Sequence, residues 1–391
     1  MRTACRRFFM LETGAHRNVA MEGLRGYATL LVFFVHALVQ YDLAFHNVNL
    51  GEIYHLTAWN VWQTYPLRDS LLLWLQKGHY GVDLFFLLSG FLIYRVVARH
   101  RENYGRFMWK RVLRIYPAFL ATLVVAIVAK HYWLGRPFDT TAILGNLVFL
   151  NGCPGFNITA YNGASWSLFY EFSFYLTFPL LWRLLATGEA TAGEPAAARP
   201  LRWAGILAMV LISNVWLPRF GMFYFGVMLG MCSEEELRQA ARHIPGWLLV
   251  GAYLLVTAAY RYYPLNFGYF TPCYGLVCSL LFVKACYGEG WLNRMFSWTP
   301  LRWLGNISYS FYLMHGLVIG FLNKFVLRSI GEYSWPVSVT MHFVITFAIS
   351  AVASVGVYAV CERWYFARKP KQKEAAPPAT PAQPVAPRLA A

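Results

Sequence analysis

Long apolar blocks, separated by short polar or basic stretches, recur from residue 24 to residue 360. A helix needs about 20 apolar residues to cross a bilayer. Ten segments reach or approach that length: 24–42, 80–98, 115–133, 165–185, 203–217, 220–232, 246–262, 268–287, 303–322 and 336–360. The fifth and sixth are short and are split by Pro218 and Arg219, so they form either a tight hairpin or one broken span. The pattern predicts an all-α membrane protein, a bundle of about ten transmembrane helices around an internal cavity. Residues 1–20 form an N-terminal segment, 21–366 the transmembrane domain, and 367–391 a Pro/Ala-rich tail unable to bury a core and expected to be disordered. "TGEATAGEPAAARP" (Thr187 to Pro200) reads as a small-residue loop. "TTAILGNLVFLNG" (Thr140 to Gly152) is too short to span and is expected as a re-entrant or interfacial helix. The N-terminus is basic but lacks the apolar core of a cleaved signal, so the first span is expected to direct insertion. No internal repeat is visible.

Composition supports this reading: the 391 residues are 58% hydrophobic and only 13% charged. A formal charge of +16 raises the question of nucleic acid. The Lys and Arg residues sit between apolar blocks rather than in a stripe with base-stacking aromatics, which excludes that class. With ten spans, one set of loops carries about three times as many Lys and Arg as the other, which places both termini in the cytoplasm of an inner (plasma) membrane protein. Seven cysteines (Cys5, Cys153, Cys232, Cys273, Cys278, Cys286, Cys361) contain no CxxC pair and no His spacing suited to zinc, so no metal site is expected. Most read as buried small hydrophobes, and a disulfide between Cys153 and Cys273 stays open.

Against this apolar background the ionisable residues require a reason. "MEGLRGYATLLVFFVHALVQ" (Met21 to Gln40) carries Arg25 and His36, eleven residues apart. At about 100° per residue they share one helical stripe, roughly 16 Å apart in depth. Ionisable groups inside a span face a bundle interior or a wet cavity and mark functional paths, although an imidazole can also serve as a helix-packing hydrogen bond. "SWSLFYEFSFYLTFPLL" (Ser165 to Leu181) puts Trp166 in the interfacial aromatic belt and Glu171 more than one turn inside, where a carboxylate needs a partner or a proton. Its depth approaches that of His36, and a His–Glu pair would fix the tautomer and raise the basicity of the imidazole.

Other segments keep two readings each. In "GHYGVDLFFLLSGFLIYRV" (Gly78 to Val96), Asp83 is either a helix N-terminal cap or a catalytic group, and Ser89-Gly90 lets a helix or ligand approach closely. In "RFMWKRVLRIYP" (Arg106 to Pro117), Arg111 and Arg114 share a helix face beside Lys110, with Pro117 in the first turn of the next span. Their guanidiniums suit either the phosphates of a cytosolic cofactor or anionic lipid. "LRWLGNISYSFYLMHGLVIGF" (Leu301 to Phe321) brings Tyr309, Tyr312 and His315 to mid-membrane depth, His315 being a helix-packing hydrogen bond or a second acid or base. The loop from Tyr41 to Gly78 holds His46, His55, Trp59 and Trp62, which either shape an acceptor pocket or anchor at the interface.

Five of these blocks together resemble the membrane acyltransferase type 3 family of polytopic O-acyltransferases, over about residues 18–365. "EGLRGYATLLVFFVH" is similar to its opening signature, with Arg25 and His36 at the family spacing. "GVDLFFLLSGFLI", the Arg111/Arg114 pair, "WSLFYEFSFYL" with Glu171, and "LGNISYSFYLMH" match the later blocks in order. The resemblance implies transfer of an acyl group, commonly acetyl, from cytosolic acyl-CoA as donor substrate to a hydroxyl of an extracytoplasmic carbohydrate or glycolipid. Matching that chemistry to these residues gives Arg111, Arg114 and Arg25 the CoA phosphates. It makes His36, oriented by Glu171, either the base toward the acceptor or the carrier of the acyl group. Asp83, Ser89, Trp166, Tyr309 and His315 then fall into structural or acceptor-side roles. The extracytoplasmic SGNH-type domain of some members has no counterpart in the sequence, so transfer is expected to be completed by the membrane domain or with a separate envelope-biosynthesis partner. The alternative from another class is a proton-coupled transporter or export factor for an envelope glycan, which intramembrane His and Glu would also suit but which no inverted repeat supports.

Overall fold

The computed structural model describes residues 8–9, 18–45, 80–99, 103–185, 198–262, 267–327, 330 and 333–367. Most of the loop bearing His46, His55, Trp59 and Trp62, the loop of Thr187 to Pro200 up to residue 197, Cys5 and the tail from 368 lie outside them.

A helix lies at each of the ten apolar segments. In chain order the helices are α1 (Val19–Phe45), α2 (Gly81–Arg99), α3 (Tyr104–Leu134), α4 (Thr140–Leu147) and α5 (Trp166–Leu185). There follow α6 (Ala198–Trp216), α7 (Gly221–Met231), α8 (Glu234–His243), α9 (Gly246–Tyr262) and α10 (Phe267–Tyr287). The C-terminal part holds α11 (Trp291–Phe296), α12 (Thr299–Asn306), α13 (Ser308–Phe325), α14 (Trp335–Val357), a π-turn at Tyr358–Glu362, and α15 (Arg363–Ala367). No strand occurs among the described residues. Among the described residues five stretches are long and apolar enough to cross a membrane: Val19–Tyr41, Gly81–Ala98, Tyr104–Leu134, Phe270–Tyr287 and Pro336–Phe366. The other apolar segments form shorter or more polar helices. The 11-residue α7 is only about 16 Å long, well short of a bilayer core. A 3-10 turn at Pro218–Phe220 joins it to α6, against which it packs.

Apolar side chains cover the outside as well as the inside. Val124, Val125 and Val128 on α3, Val344 and Val352 on α14, and Val360 in the π-turn are exposed. In water that surface would drive aggregation, and in a bilayer it is the solvated face. Membrane helices do not gain by hiding apolar surface from lipid, so they associate through close packing. The crossing of α2 and α7 shows this: a Cβ on Gly90 would lie 2.0 Å from the Phe223 carbonyl oxygen, and one on Gly226 the same distance from that of Leu87. Beside the crossing, Phe86 and Phe174 stack on Phe223 at centroid distances of 4.5 and 4.4 Å. On the other side α1 packs on α12, where Arg302 Nε meets Glu22 Oε2 at 3.0 Å in a buried ion pair. The neighbours of α1 also include α13 and α2, which decides how the site is assembled.

Two local expectations change. Pro117 does not open a new span: α3 runs without a break from Tyr104 to Leu134, with Pro117 inside it. Proline removes the N–H that Leu113 would receive, and the helix tolerates that loss here. Cys153 and Cys273 are free thiols. The Thr140 to Gly152 segment forms the eight-residue α4, capped by Asp139, whose side chain accepts from Ala142 N at 3.0 Å, and then a 3-10 turn.

Candidate active site

A cavity of about 870 Å³ opens inside the bundle, lined by α2, α3, α5 and α13 together with Arg25 of α1 and the start of α15. Its wall on α2 runs from Val82 to Val96, which at 1.5 Å per residue is about 21 Å, much of the thickness of a bilayer core. Eight of the residues singled out from sequence line it: Arg25, Ser89, Lys110, Arg111, Arg114, Glu171, Tyr309 and Tyr312. His36, His315, Asp83 and Trp166 are not among its lining residues.

One end of the cavity is basic. Arg111 and Arg114 stand one turn apart on α3, whose start is fixed by the Asn103 side chain accepting from Gly105 N. The spacing turns both guanidiniums inward. Arg111 lies over the rings of Phe107 and Tyr175, at 5.0 and 5.4 Å, and its Nε is buried without a hydrogen bond. Arg114 sits 4.8 Å over the Phe366 ring. Arg25 Nη2 donates to Ser308 Oγ at 3.0 Å. Aromatic faces hold the guanidinium planes of Arg111 and Arg114, and the Arg111 Nε–H has no partner.

Two carboxylates accompany these cations. Glu171 accepts from Ser89 Oγ at 3.3 Å and from the Tyr175 hydroxyl. Glu362, 3% exposed, accepts from the backbone N of Ser310 at 3.1 Å and from its hydroxyl, and its charge faces Arg114 and Arg25. The sequence reading missed Glu362. It lies two residues past the predicted end of the last span, and a π-turn carries it inward, a register change that a 3.6-residue pattern does not reveal. Tyr309 Oη donates to the Ile115 carbonyl at 2.9 Å and ties α13 to α3.

The histidines form a separate unit. His315 Nε2 lies 2.8 Å from His36 Nδ1, and His315 Nδ1 lies 3.1 Å from the carbonyl oxygen of Phe311 on its own helix. His315 is buried and His36 half-buried. The expected pairing of His36 with Glu171 does not occur: His36 bonds to His315, and Glu171 to Ser89 and Tyr175. Similar depth fixes only the coordinate along the bundle axis, and the element that packs on α1 at this level is α13. The unit is nevertheless next to the cavity, because Tyr312 lines the cavity and its ring centroid is 5.9 Å from that of His315.

Asp83 and Trp166 are brought together elsewhere. Asp83, 2% exposed, meets Arg219 Nη1 at 3.7 Å, and the Arg219 guanidinium lies 4.7 Å over the Trp166 ring. This clasp joins α2, α5 and the turn before α7.

The profile of an acyltransferase domain matches residues 18–358. The chain belongs to the membrane acyltransferase type 3 family. The acyltransferase is 29% identical over 369 residues to the acyltransferase MdmB of Streptomyces mycarofaciens, covering 87% of this chain and 88% of that protein. It is also 22% identical over 285 residues to the peptidoglycan O-acetyltransferase OatA of Listeria monocytogenes, covering 63% of this chain and 46% of that one. No solved structure matches it. The acyltransferase thus presents, within one membrane-embedded bundle, an arginine-lined cavity and, behind Tyr312, a pair of hydrogen-bonded imidazoles.

Proposed function

We propose that the acyltransferase moves an acyl group, acetyl in the simplest case, from cytosolic acyl-CoA to a hydroxyl of an extracytoplasmic carbohydrate. The observation that carries this reading is the cavity, which has a cationic end at Arg111, Arg114 and Arg25 and extends along α2 to Tyr312, beside the histidine pair. In this reading the three guanidiniums hold the CoA phosphates, and the slender arm beyond them lies along α2 past Ser89 and Glu171. The positive charge of the loops on the same side orients that mouth toward the cytoplasm, with both termini there. OatA is named for O-acetylation of peptidoglycan, an acceptor on the outer side, which supports a carbohydrate hydroxyl as the target class.

His36 serves as the base. Its ring takes the proton of the acceptor hydroxyl as that oxygen attacks the thioester carbonyl, the C–S bond breaks, and the thiolate of CoA leaves and receives the proton. Transfer through an acyl-imidazole on His36 uses the same groups in two steps. Glu171, which lines the cavity with Arg25, balances part of the cationic charge along the path of the donor and is a second group whose loss lowers transfer.

Purified acyltransferase in lipid vesicles is expected to release free thiol from acetyl-CoA when a carbohydrate acceptor is supplied, one thiol per acyl ester formed. A transporter leaves the thioester intact. Solute movement without thiol release would overturn the reading.

A further inference from the structure

In a base built from histidine, the nitrogen that carries the proton matters as much as the position of the ring. A neutral imidazole has one N–H donor and one lone-pair acceptor, and which nitrogen is which is fixed by the bonds the ring makes. The histidine pair allows that assignment to be followed atom by atom.

The chain of bonds begins at a group with no choice. The carbonyl oxygen of Phe311 can only accept, and His315 Nδ1 lies 3.1 Å from it, so Nδ1 carries the hydrogen. Among the described residues no carboxylate bonds to either ring, and an uncompensated imidazolium at a buried site is costly, so His315 is neutral and its Nε2 is the lone-pair nitrogen. That nitrogen is 2.8 Å from His36 Nδ1. An acceptor at this distance requires a donor opposite, so His36 carries its hydrogen on Nδ1. The Val32 backbone, one turn back on α1, also holds the His36 ring, and with the hydrogen on Nδ1 the lone pair falls on Nε2 of His36.

We propose that His315 is a positioning residue for the acyltransferase: its Nε2 accepts from His36 Nδ1, holds the His36 ring in one tautomer, and leaves His36 Nε2 as the atom that takes the acceptor's proton. The inference rests on the reading of His36 as the base. It assigns to a neutral imidazole on α13 the orienting work that the depth argument had given to Glu171. The burial of His315 at 1% exposure and its anchor to its own backbone make the acceptor rigid. The Phe311 ring, stacked with that of His315 at an interplanar angle of 6° and a centroid distance of 6.1 Å, limits its rotation. When His36 gains the proton at Nε2 it becomes an imidazolium with two donors, and His315 Nε2 continues to accept from Nδ1, so the bond survives the step without rearrangement.

The test compares two replacements of similar reach. In His315→Gln the side-chain amide oxygen can stand where Nε2 stood and accept from His36 Nδ1. In His315→Met the volume is filled but the acceptor is lost. Acetyl transfer is measured as kcat and as KM for acetyl-CoA in purified protein of matched abundance and melting temperature. The expected result is that Gln keeps kcat within about threefold, whereas Met lowers it by about 30-fold, within the 10- to 100-fold range typical of an orienting partner. The KM for acetyl-CoA should stay unchanged in both. Met with wild-type turnover, or Gln as slow as Met, overturns the proposal, because a packing role does not distinguish an acceptor from a thioether in that order. Nitrogen-15 histidine spectra of the resting protein give a readout independent of turnover: His36 should show a protonated Nδ1 and a bare Nε2, and the opposite tautomer contradicts the proposal. If His36→Ala retains activity, it is the base assignment that has failed. If His36→Ala is inactive and His315→Met is normal, only the positioning role has.

Discussion

His36→Ala is expected to lower acyl transfer by about 10⁴-fold, the upper range for loss of a general base, while the protein remains inserted and abundant. The expectation of normal folding rests on how little the ring contributes to packing. His36 is half-buried, and its side-chain hydrogen bond to His315 closes no loop that the α1 contacts with α12 and α2 do not already hold. Removal of the ring does leave His315 Nε2 without a donor, at a cost of about 1–3 kcal/mol, so the melting temperature should fall modestly. The KM for acetyl-CoA should change little, because the groups assigned to the donor lie on α3 and at the start of α1. Turnover within tenfold of the wild type would remove His36 from the chemistry.

The second large effect is the complement of the first. Replacing Arg111 and Arg114 together by Ala is expected to raise the KM for acetyl-CoA by about 10²- to 10³-fold. A charge-assisted hydrogen bond to phosphate contributes about 1.5–3 kcal/mol, and both side chains are half-buried, which puts each at the lower part of that range. Lys substitutions should recover only part of the loss, since an ammonium neither spans two phosphate oxygens nor stacks on Phe107, Tyr175 and Phe366 as the guanidiniums do. Raising the salt concentration should raise the wild-type KM and leave the double variant almost unaffected. A double variant with unchanged KM and reduced abundance would show these residues to be anchors to anionic lipid instead.

Much of the fold was legible because the membrane imposes a simple rule. Every apolar block long enough to satisfy its own backbone became a helix, and α9 and α10 follow the expected bounds to within a residue. Less legible was which blocks cross fully, because a segment such as α7 is apolar but short. Pro117 illustrates a local signal overridden by its surroundings: it marks a helix start by propensity, yet here α3 continues through it. The basic mouth could be read directly, since an i, i+3 spacing fixes two side chains on one face whatever surrounds the helix. The histidine pair could not. Residue spacing along α1 gives the height of His36 but not which helix stands opposite, and that depends on packing between segments nearly 280 residues apart. Glu171 was identified as a buried carboxylate in need of a partner, and its partners turned out to be a serine on α2 and a tyrosine one turn along its own helix. Glu362 was hidden by a helical register that only the π-turn creates.

In the proposed reaction the donor reaches the histidine pair through the arginine-lined mouth. The most direct test is thiol release from acetyl-CoA in sealed vesicles in which the acyltransferase is inserted in a single known orientation, with the acceptor enclosed or external as required. Release is expected only when acetyl-CoA is supplied to the face bearing Arg111 and Arg114, and it should be lost in the double Arg variant at the same donor concentration. Equal release from the opposite face, or acceptor acylated without any thiol set free, would contradict it.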